Sequence, residues 1–229
     1  MHTWLHSLFH LFFPRCCVVC DGLLVDTEEY LCAKCNIDMP RTNFHQRQEH
    51  FTEQLFREQI PLVRATSFFY YQKGSRFNEI LHQLKYKNNP ELGEVMGCYM
   101  AGELLSSSFF EGIDMLTPIP LHPQKLKRRG YNQSERIAQG ISRVTGIPVI
   151  TSHAERIKNT DTQTRKSAFE RWENVEGIFS LQDSLFFSGK HILIIDDVLT
   201  TGATIMSYAS AFRDIENVRI SVFTMAVSQ

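Results

Sequence analysis

The sequence predicts an α/β fold, a mostly parallel sheet flanked by helices, with a small four-cysteine unit at its N-terminal side. Three observations lead there. Short β-branched apolar runs alternate with stretches of helical periodicity over residues 61–229, the pattern of parallel strands joined by crossover helices. One run, Ile-Leu-Ile-Ile at 192–195, ends on two adjacent acids and leads through a loop of small and hydroxylic residues into a helical pattern. Four cysteines near the beginning make two C-x-x-C pairs.

Composition bounds the rest. Hydrophobic residues make up 43% of the 229 and charged residues 21%, which suits a soluble globular protein with a real core. The formal net charge of −1 excludes a general electrostatic attraction to nucleic acid or membrane, so any polyanion site must come from local clustering.

Along the chain, Trp4, Leu5, Leu8, Leu11 and Phe12 fall on one helical face. This stretch is far shorter than the ~20 residues of a membrane-spanning helix. It carries neither a basic start nor a small-residue cleavage site, so a short helix packed on its own domain in a cytoplasmic protein is expected. The cysteines follow as Cys17-x2-Cys20-x11-Cys32-x2-Cys35. Paired C-x-x-C spacing lets each pair hold one side of a tetrahedral ion, and four protein thiolates leave no open position, so a structural Zn²⁺ is expected. Cys16 competes with Cys17, but only Cys17 gives the two-residue spacing. Gly22 suits the tight turn of such a knuckle, while Cys98, inside an apolar helical pattern, reads as a small buried hydrophobe. Polar residues 40–48 read as a linker and 51–59 as a short helix, which closes a first unit at residues 1–60.

The second unit, 61–229, opens with a strand at 65–72, whose Phe68, Phe69, Tyr70 and Tyr71 read as an alternating buried strand rather than a base-stacking platform. Ser75 is expected to cap a helix bearing Phe77, Ile80, Leu81 and Leu84. Pro90 opens the next helix. A strand at 115–119 leads into a basic loop containing Lys125, Lys127, Arg128, Arg129 and Gly130, and a helix follows at 132–144. Guanidinium forks at such a junction suit phosphate oxygens, of pyrophosphate or of nucleic acid; Lys85 adds a basic spot nearby. Short strands are expected at 148–150 and 178–181. The long polar stretch between 156 and 179, with Gln163, Arg165 and Lys166, reads as a flexible loop or lid. A terminal strand at 218–227 completes the sheet.

The loop after residues 192–195 carries the densest chemistry. Asp196 and Asp197 suit a ribose diol or the water ligands of Mg²⁺. Thr200, Thr201, Gly202, Ala203 and Thr204 aim backbone N–H groups, hydroxyls and a helix N-terminus at one point, a cradle for phosphate. Such sites lie beyond the C-terminal ends of parallel strands. The chain contains neither G-x-x-x-x-G-K-[ST] nor G-x-G-x-x-G, which argues against a P-loop or dinucleotide fold.

This string resembles the phosphoribosyl pyrophosphate signature of type I phosphoribosyltransferases. The resemblance implies that Asp196 and Asp197 hold the ribose hydroxyls and residues 200–204 the 5′-phosphate, with Mg²⁺ accompanying the ligand. Taken with the cysteines, Leu84-Lys85-Tyr86, Pro118-Ile-Pro-Leu, Arg129-Gly-Tyr-Asn-Gln and Thr160-x2-Gln163 in that order, nearly the whole chain resembles the ComF/ComFC family of competence-associated proteins. Two departures stand out: Tyr131 where phenylalanine is commoner, and no further C-x-x-C within residues 36–60. The resemblance implies a phosphoribosyltransferase-like fold, a zinc finger, and single-stranded DNA and other competence proteins as partners during natural transformation. The alternative is an active phosphoribosyltransferase, of amidophosphoribosyltransferase-like type, acting on a nitrogen acceptor with no DNA role.

Overall fold

Four consecutive aliphatic residues can all be buried only between two layers, and the chain is built that way. The structure, a computed structural model, describes residues 14–47, 50–159 and 177–228; the N-terminal helix expected within 1–13 lies outside these. In chain order the elements are α1 (Ala33–Asp38), α2 (Phe51–Arg57), β1 (Leu62–Tyr71), α3 (Asn78–Tyr86), α4 (Pro90–Leu104), β2 (Met115–Pro118), α5 (Pro123–Arg129), α6 (Gln133–Thr145), β3 (Ala154–Arg156), β4 (Phe179–Leu181), β5 (His191–Leu199), α7 (Ala203–Ser210) and β6 (Arg219–Ser228). The strands β1, β6, β5 and β2 form one sheet in that order, and every pairing is parallel. β3 and β4 make a separate antiparallel pair.

Ile192 to Ile195 are fully buried, Leu193 and Ile195 in one core and Ile192 and Ile194 in the other. Each contributes about 1.5–3 kcal/mol by leaving water. The first core takes residues of α3, α4 and α6 together with Cys17, Val18, Val19 and Cys35 of the cysteine unit. The second takes Phe56 of α2, residues of α7, and Phe179 of β4. Helices therefore flank both faces, and the cysteine unit packs into the first core.

Helices α4 and α6 approach through glycines. A Cβ on Gly97 would overlap the Ile137 carbonyl, and one on Gly140 would overlap the Glu94 carbonyl. Glu94 also clasps the pair, accepting from Arg136 at 3.1 Å and from Arg143 at 2.5 Å.

The structure corrects several expectations. Residues 40–42 of the expected linker lie along β1: the Thr42 N–H donates to Phe68 O (3.1 Å) and the Tyr70 N–H to Pro40 O (2.9 Å). With a core on each face of the sheet, β1 does not alternate; Ala65 to Phe69 are all buried. Ser75 does not cap α3. Its hydroxyl accepts from the Phe77 N–H at 3.3 Å, a turn ahead of the helix. The basic stretch expected as a loop is helix α5, opened by Pro123 and closed by Gly130 at φ +82°. Residues 148–150 supply only a bridge between Val149 and Leu116.

Candidate functional site

β2 stops at Pro118, paired with Ile195, whereas β5 continues to Leu199. Asp196 and Asp197 therefore emerge where the sheet has lost one neighbour, at its C-terminal edge. The β5 backbone itself carries both acids, so they are held by strand pairing rather than by a loop; Asp196 is in register with Thr224 of β6.

The N-terminus of α6 closes over this edge. Asn132 caps the helix, its Oδ1 accepting from the Ser134 N–H at 3.2 Å while its Nδ2 donates to Ile119 O at 3.0 Å. That places the Ser134 hydroxyl to donate to Asp196 Oδ1 at 3.0 Å, and the Asp197 N–H donates to the same oxygen at 2.9 Å. Asp197 Oδ2 pairs with Lys85 Nζ at 3.1 Å. Burial and the neighbouring Asp197 charge raise the Asp196 carboxyl to about 7, against the opposing hydrogen bonds and Lys85. The pair thus holds less negative charge near neutrality than two free aspartates. A divalent cation or a hydrogen-bonding diol would relieve that repulsion, so these residues fit such a ligand.

The threonine loop follows directly. Thr200, Thr201 and Thr204 are exposed around a hollow of about 20 Å³ at the start of α7. Gly202 is buried at φ +77°, and a Cβ there would come within 2.9 Å of Leu55 and 3.0 Å of Phe56 on α2. Glycine is required on both counts, conformation and space.

Lys85 connects this site to a second hollow of about 360 Å³, lined by Lys85, Tyr86, Asn88, Lys127, Arg128, Arg129 and Gly130. Among the described residues no carboxylate pairs with Lys127, Arg128 or Arg129. Arg129 donates from Nη1 to Gln133 Oε1 at 2.7 Å, and its buried Nε has no partner. Lys127, Arg128 and Arg129, with no acid among the residues lining the hollow and with the Asp197-paired Lys85 at its edge, suit a phosphate-rich ligand. Tyr131 supports this wall: its buried hydroxyl donates to Leu84 O at 2.6 Å and ties the start of α6 to the last turn of α3.

The cysteines also come together. The Sγ atoms of Cys17, Cys20, Cys32 and Cys35 all lie within 4.8 Å of one another. The Cys20–Cys32 separation is 3.8 Å, and a tetrahedral Zn²⁺ with bonds of about 2.3 Å requires sulfurs ~3.8 Å apart. Backbone N–H groups of Cys32 and Cys35 donate to the sulfurs of Cys17 and Cys32, each at 3.4 Å. Although burial opposes it, the N–H groups of Cys32, Val19 and Cys20 lower Cys17 to about 7; burial and the adjacent thiols push Cys35 up. The donor set fits a thiophilic metal. Cys16 points away, towards Pro14 O. The positive φ of the first knuckle is at Asp21 (+57°), not at Gly22, whose missing side chain instead leaves room for Cys20 Sγ. The second pair is built differently, with Cys32 as the N-cap of α1. Cys98 is only half-buried, its thiol donating to Gly140 O at 3.4 Å.

Sequence reasoning thus named the acids, the threonine loop, Lys85 and the arginines, and the structure gathers them around one edge of the sheet. It missed Ser134 and the role of Asn132, whose positions depend on β2 and β5 being neighbours. Gln163, Arg165 and Lys166 lie outside the described residues. Among the described residues no helix is long and apolar enough to cross a membrane.

No family model matches the chain. Among curated proteins it is 34% identical over 114 residues to Competence protein F of Haemophilus influenzae, covering 49% of this chain and 50% of that protein. It is 28% identical over 196 residues to the DNA utilization protein YhgH of Escherichia coli, covering 84% and 82%. It is 27% identical over 149 residues to Competence protein ComFC of Bacillus subtilis, covering 65% and 58%. The match thus spans about half the length of the Haemophilus relative. Among solved structures, the allosteric regulatory enzyme of purine biosynthesis superposes with a TM-score of 0.40 at 17% identity, over 61% of this chain and 29% of that one. Two of these relatives are named for competence and one for DNA utilization, so the chain is similar to the ComF/ComFC proteins that its cysteine unit and acid-threonine strand end resemble.

Proposed function

We propose that the chain is a ComF-type protein whose phosphoribosyltransferase-like domain (61–229) binds phosphoribosyl pyrophosphate with Mg²⁺ and which handles single-stranded DNA during DNA uptake in the cytoplasm. The observation that carries the reading is the strand end that holds Asp196 and Asp197 on β5 and passes straight into the Gly202 turn and α7. Acids, hydroxyls and backbone N–H groups there match a ribose diol on one side and a 5′-phosphate on the other. Arg128, Arg129 and Lys85 face the same edge and suit pyrophosphate oxygens or a DNA backbone. Asp196 and Asp197 would hold the metal-bound ligand, and Mg²⁺ would supply positive charge against the diphosphate. Cys17, Cys20, Cys32 and Cys35 would hold a structural Zn²⁺ in the 1–60 unit. The DNA role rests on the relatives, which are named for competence and DNA utilization.

Equilibrium titration of radiolabelled phosphoribosyl pyrophosphate with Mg²⁺ tests the first half. Wild type is expected to bind and the Asp196→Ala/Asp197→Ala variant to lose binding by at least about tenfold. A wild type that binds none refutes the site. Retention of a single-stranded oligonucleotide at low salt tests the second half, and an Arg128→Ala/Arg129→Ala variant is expected to bind it more weakly with a shallower salt dependence. If wild type binds the sugar phosphate, consumes it with a nitrogen acceptor and retains no DNA, the active transferase reading replaces this one.

A further inference from the structure

A cleft of about 740 Å³ lies between the first cysteine knuckle and α3. Val18 and Val19 of the knuckle face Leu81 and Val198 across it, so part of its lining is apolar. Its uncharged polar lining includes Ser75, Asn78 and Gln83, side chains that both donate and accept, and, where the cleft meets the threonine loop, Thr200. Among its charged groups, Arg76 meets Asp38 at 3.0 Å and Lys85 meets Asp197 at 3.1 Å, while Glu79 lies 3.4 Å from His82, which offsets it only when protonated. Asp21 adds a carboxylate at the rim. Beside Asp21 and Glu79, away from Lys85 and Thr200, an anion has little reason to settle, whereas a neutral planar ring with polar edges finds apolar surface and hydrogen-bond partners.

Tyr86 sets the geometry. It is 66% exposed at the end of α3, with its ring 5.3 Å from that of His82. Tyr86 and Lys85 line both this cleft and the basic hollow formed with Lys127, Arg128 and Arg129. The two depressions therefore share a wall, with cations on one side and a neutral, half-apolar cleft on the other. An exposed tyrosine has little reason for its place in packing, since it buries only a third of its surface.

We propose that the cleft is a nucleobase site: a base of single-stranded DNA stacks on Tyr86 and enters beneath the knuckle while its neighbouring phosphates lie in the basic hollow. Charge decides the orientation, because phosphate is favoured beside the unpaired arginines and disfavoured beside Asp21 and Glu79. Continuity of the two depressions decides the source of the base, because a polynucleotide alternates phosphate and base whereas a free base has no charge for the hollow. The inference rests on the DNA half of the proposed function and adds where a base is held.

Fluorescence anisotropy with a labelled oligothymidylate and an abasic oligomer of the same length tests it. Wild type is expected to favour the oligothymidylate by about tenfold. Tyr86→Ala should remove that preference by weakening the oligothymidylate about tenfold more than the abasic oligomer, Tyr86→Phe should keep it, and Arg128→Ala/Arg129→Ala should weaken both oligomers alike. Tyr86 is exposed, so the alanine variant is expected to fold. A preference that survives Tyr86→Ala overturns the base site while leaving the DNA reading standing. Failure of wild type to bind either oligomer overturns both. Thymidine monophosphate competing as well as the oligomer, at equal nucleotide concentration, overturns the polynucleotide assignment.

Discussion

Adjacent carboxylates at the end of a buried strand repel one another, and Asp196 bears the consequence. Its carboxyl is raised to about 7 by burial and by Asp197, so the folded chain holds a proton that an unfolded aspartate has already lost. Stability from this group is therefore full below about pH 4 and declines as pH rises through about 7. Asn in its place keeps an oxygen for the Ser134 hydroxyl and removes the charge. Without ligand, Asp196→Asn is expected to be more stable than wild type by about 1–3 kcal/mol at about pH 8, the gap narrowing towards pH 4. Urea unfolding at several pH values measures this, and a pH-independent difference would contradict it. The acids and threonines were legible in the sequence because they are consecutive in the chain and carry their chemistry together. Ser134, 62 residues away from Asp196, was not. Gly202 was legible only in part: a small residue lets an anion approach, but the pressure from Leu55 and Phe56 on α2 comes from packing.

Elements were legible where burial imprints a period. β5, α4 and α6 follow from their apolar spacing, but α5 has no buried residue at all. Lys-Leu-Lys-Arg-Arg therefore shows no stripe, and a helix facing solvent reads as a loop. β1 was found, but its alternation was wrongly expected, because nothing local reveals that both faces of this strand are covered or that residues 40–42 pair along it. The α4–α6 contact is also invisible in sequence, since a glycine in a helix marks equally a weak point or a close crossing. The two cases separate within α4 and its partner. Gly140→Ala drives a methyl into the Glu94 carbonyl and is expected to cost about 1–3 kcal/mol, read as a lower urea midpoint. A Cβ on Gly102, near the end of α4, meets nothing within 4 Å. Gly102→Ala is expected to be stabilising by about 0.5–1 kcal/mol. Equal effects at the two positions would refute the crossing.

At the scale of the molecule, the order of units was legible and their packing was not. Cysteine spacing identifies a metal-type cluster, yet nothing in it says that Cys17 and Cys35 join the same core as Phe68, Phe77 and Leu84. That packing makes a distinct prediction about metal removal. A free appendage would lose its metal without consequence for the sheet, whereas here the knuckle also walls the first core. The purified protein is expected to carry about one Zn²⁺ per chain. Stripping it with a strong chelator is expected to lower the thermal midpoint of the whole chain by more than about 5 °C in a single transition. A zinc-free protein with an unchanged midpoint would refute both the metal and its coupling to the core.

The strand order has a consequence in time. β6 is last in the chain among the described strands, yet it fills the slot between β1 and β5. On a ribosome, β1 and β5 emerge with their facing backbone groups unmatched, and the acid-threonine edge rides on a strand that still has an open flank. Only when residues 219–228 are released can that slot close. The acid-threonine edge is thus completed only after β6 has emerged, and until then the nascent chain exposes two strand edges to aggregation.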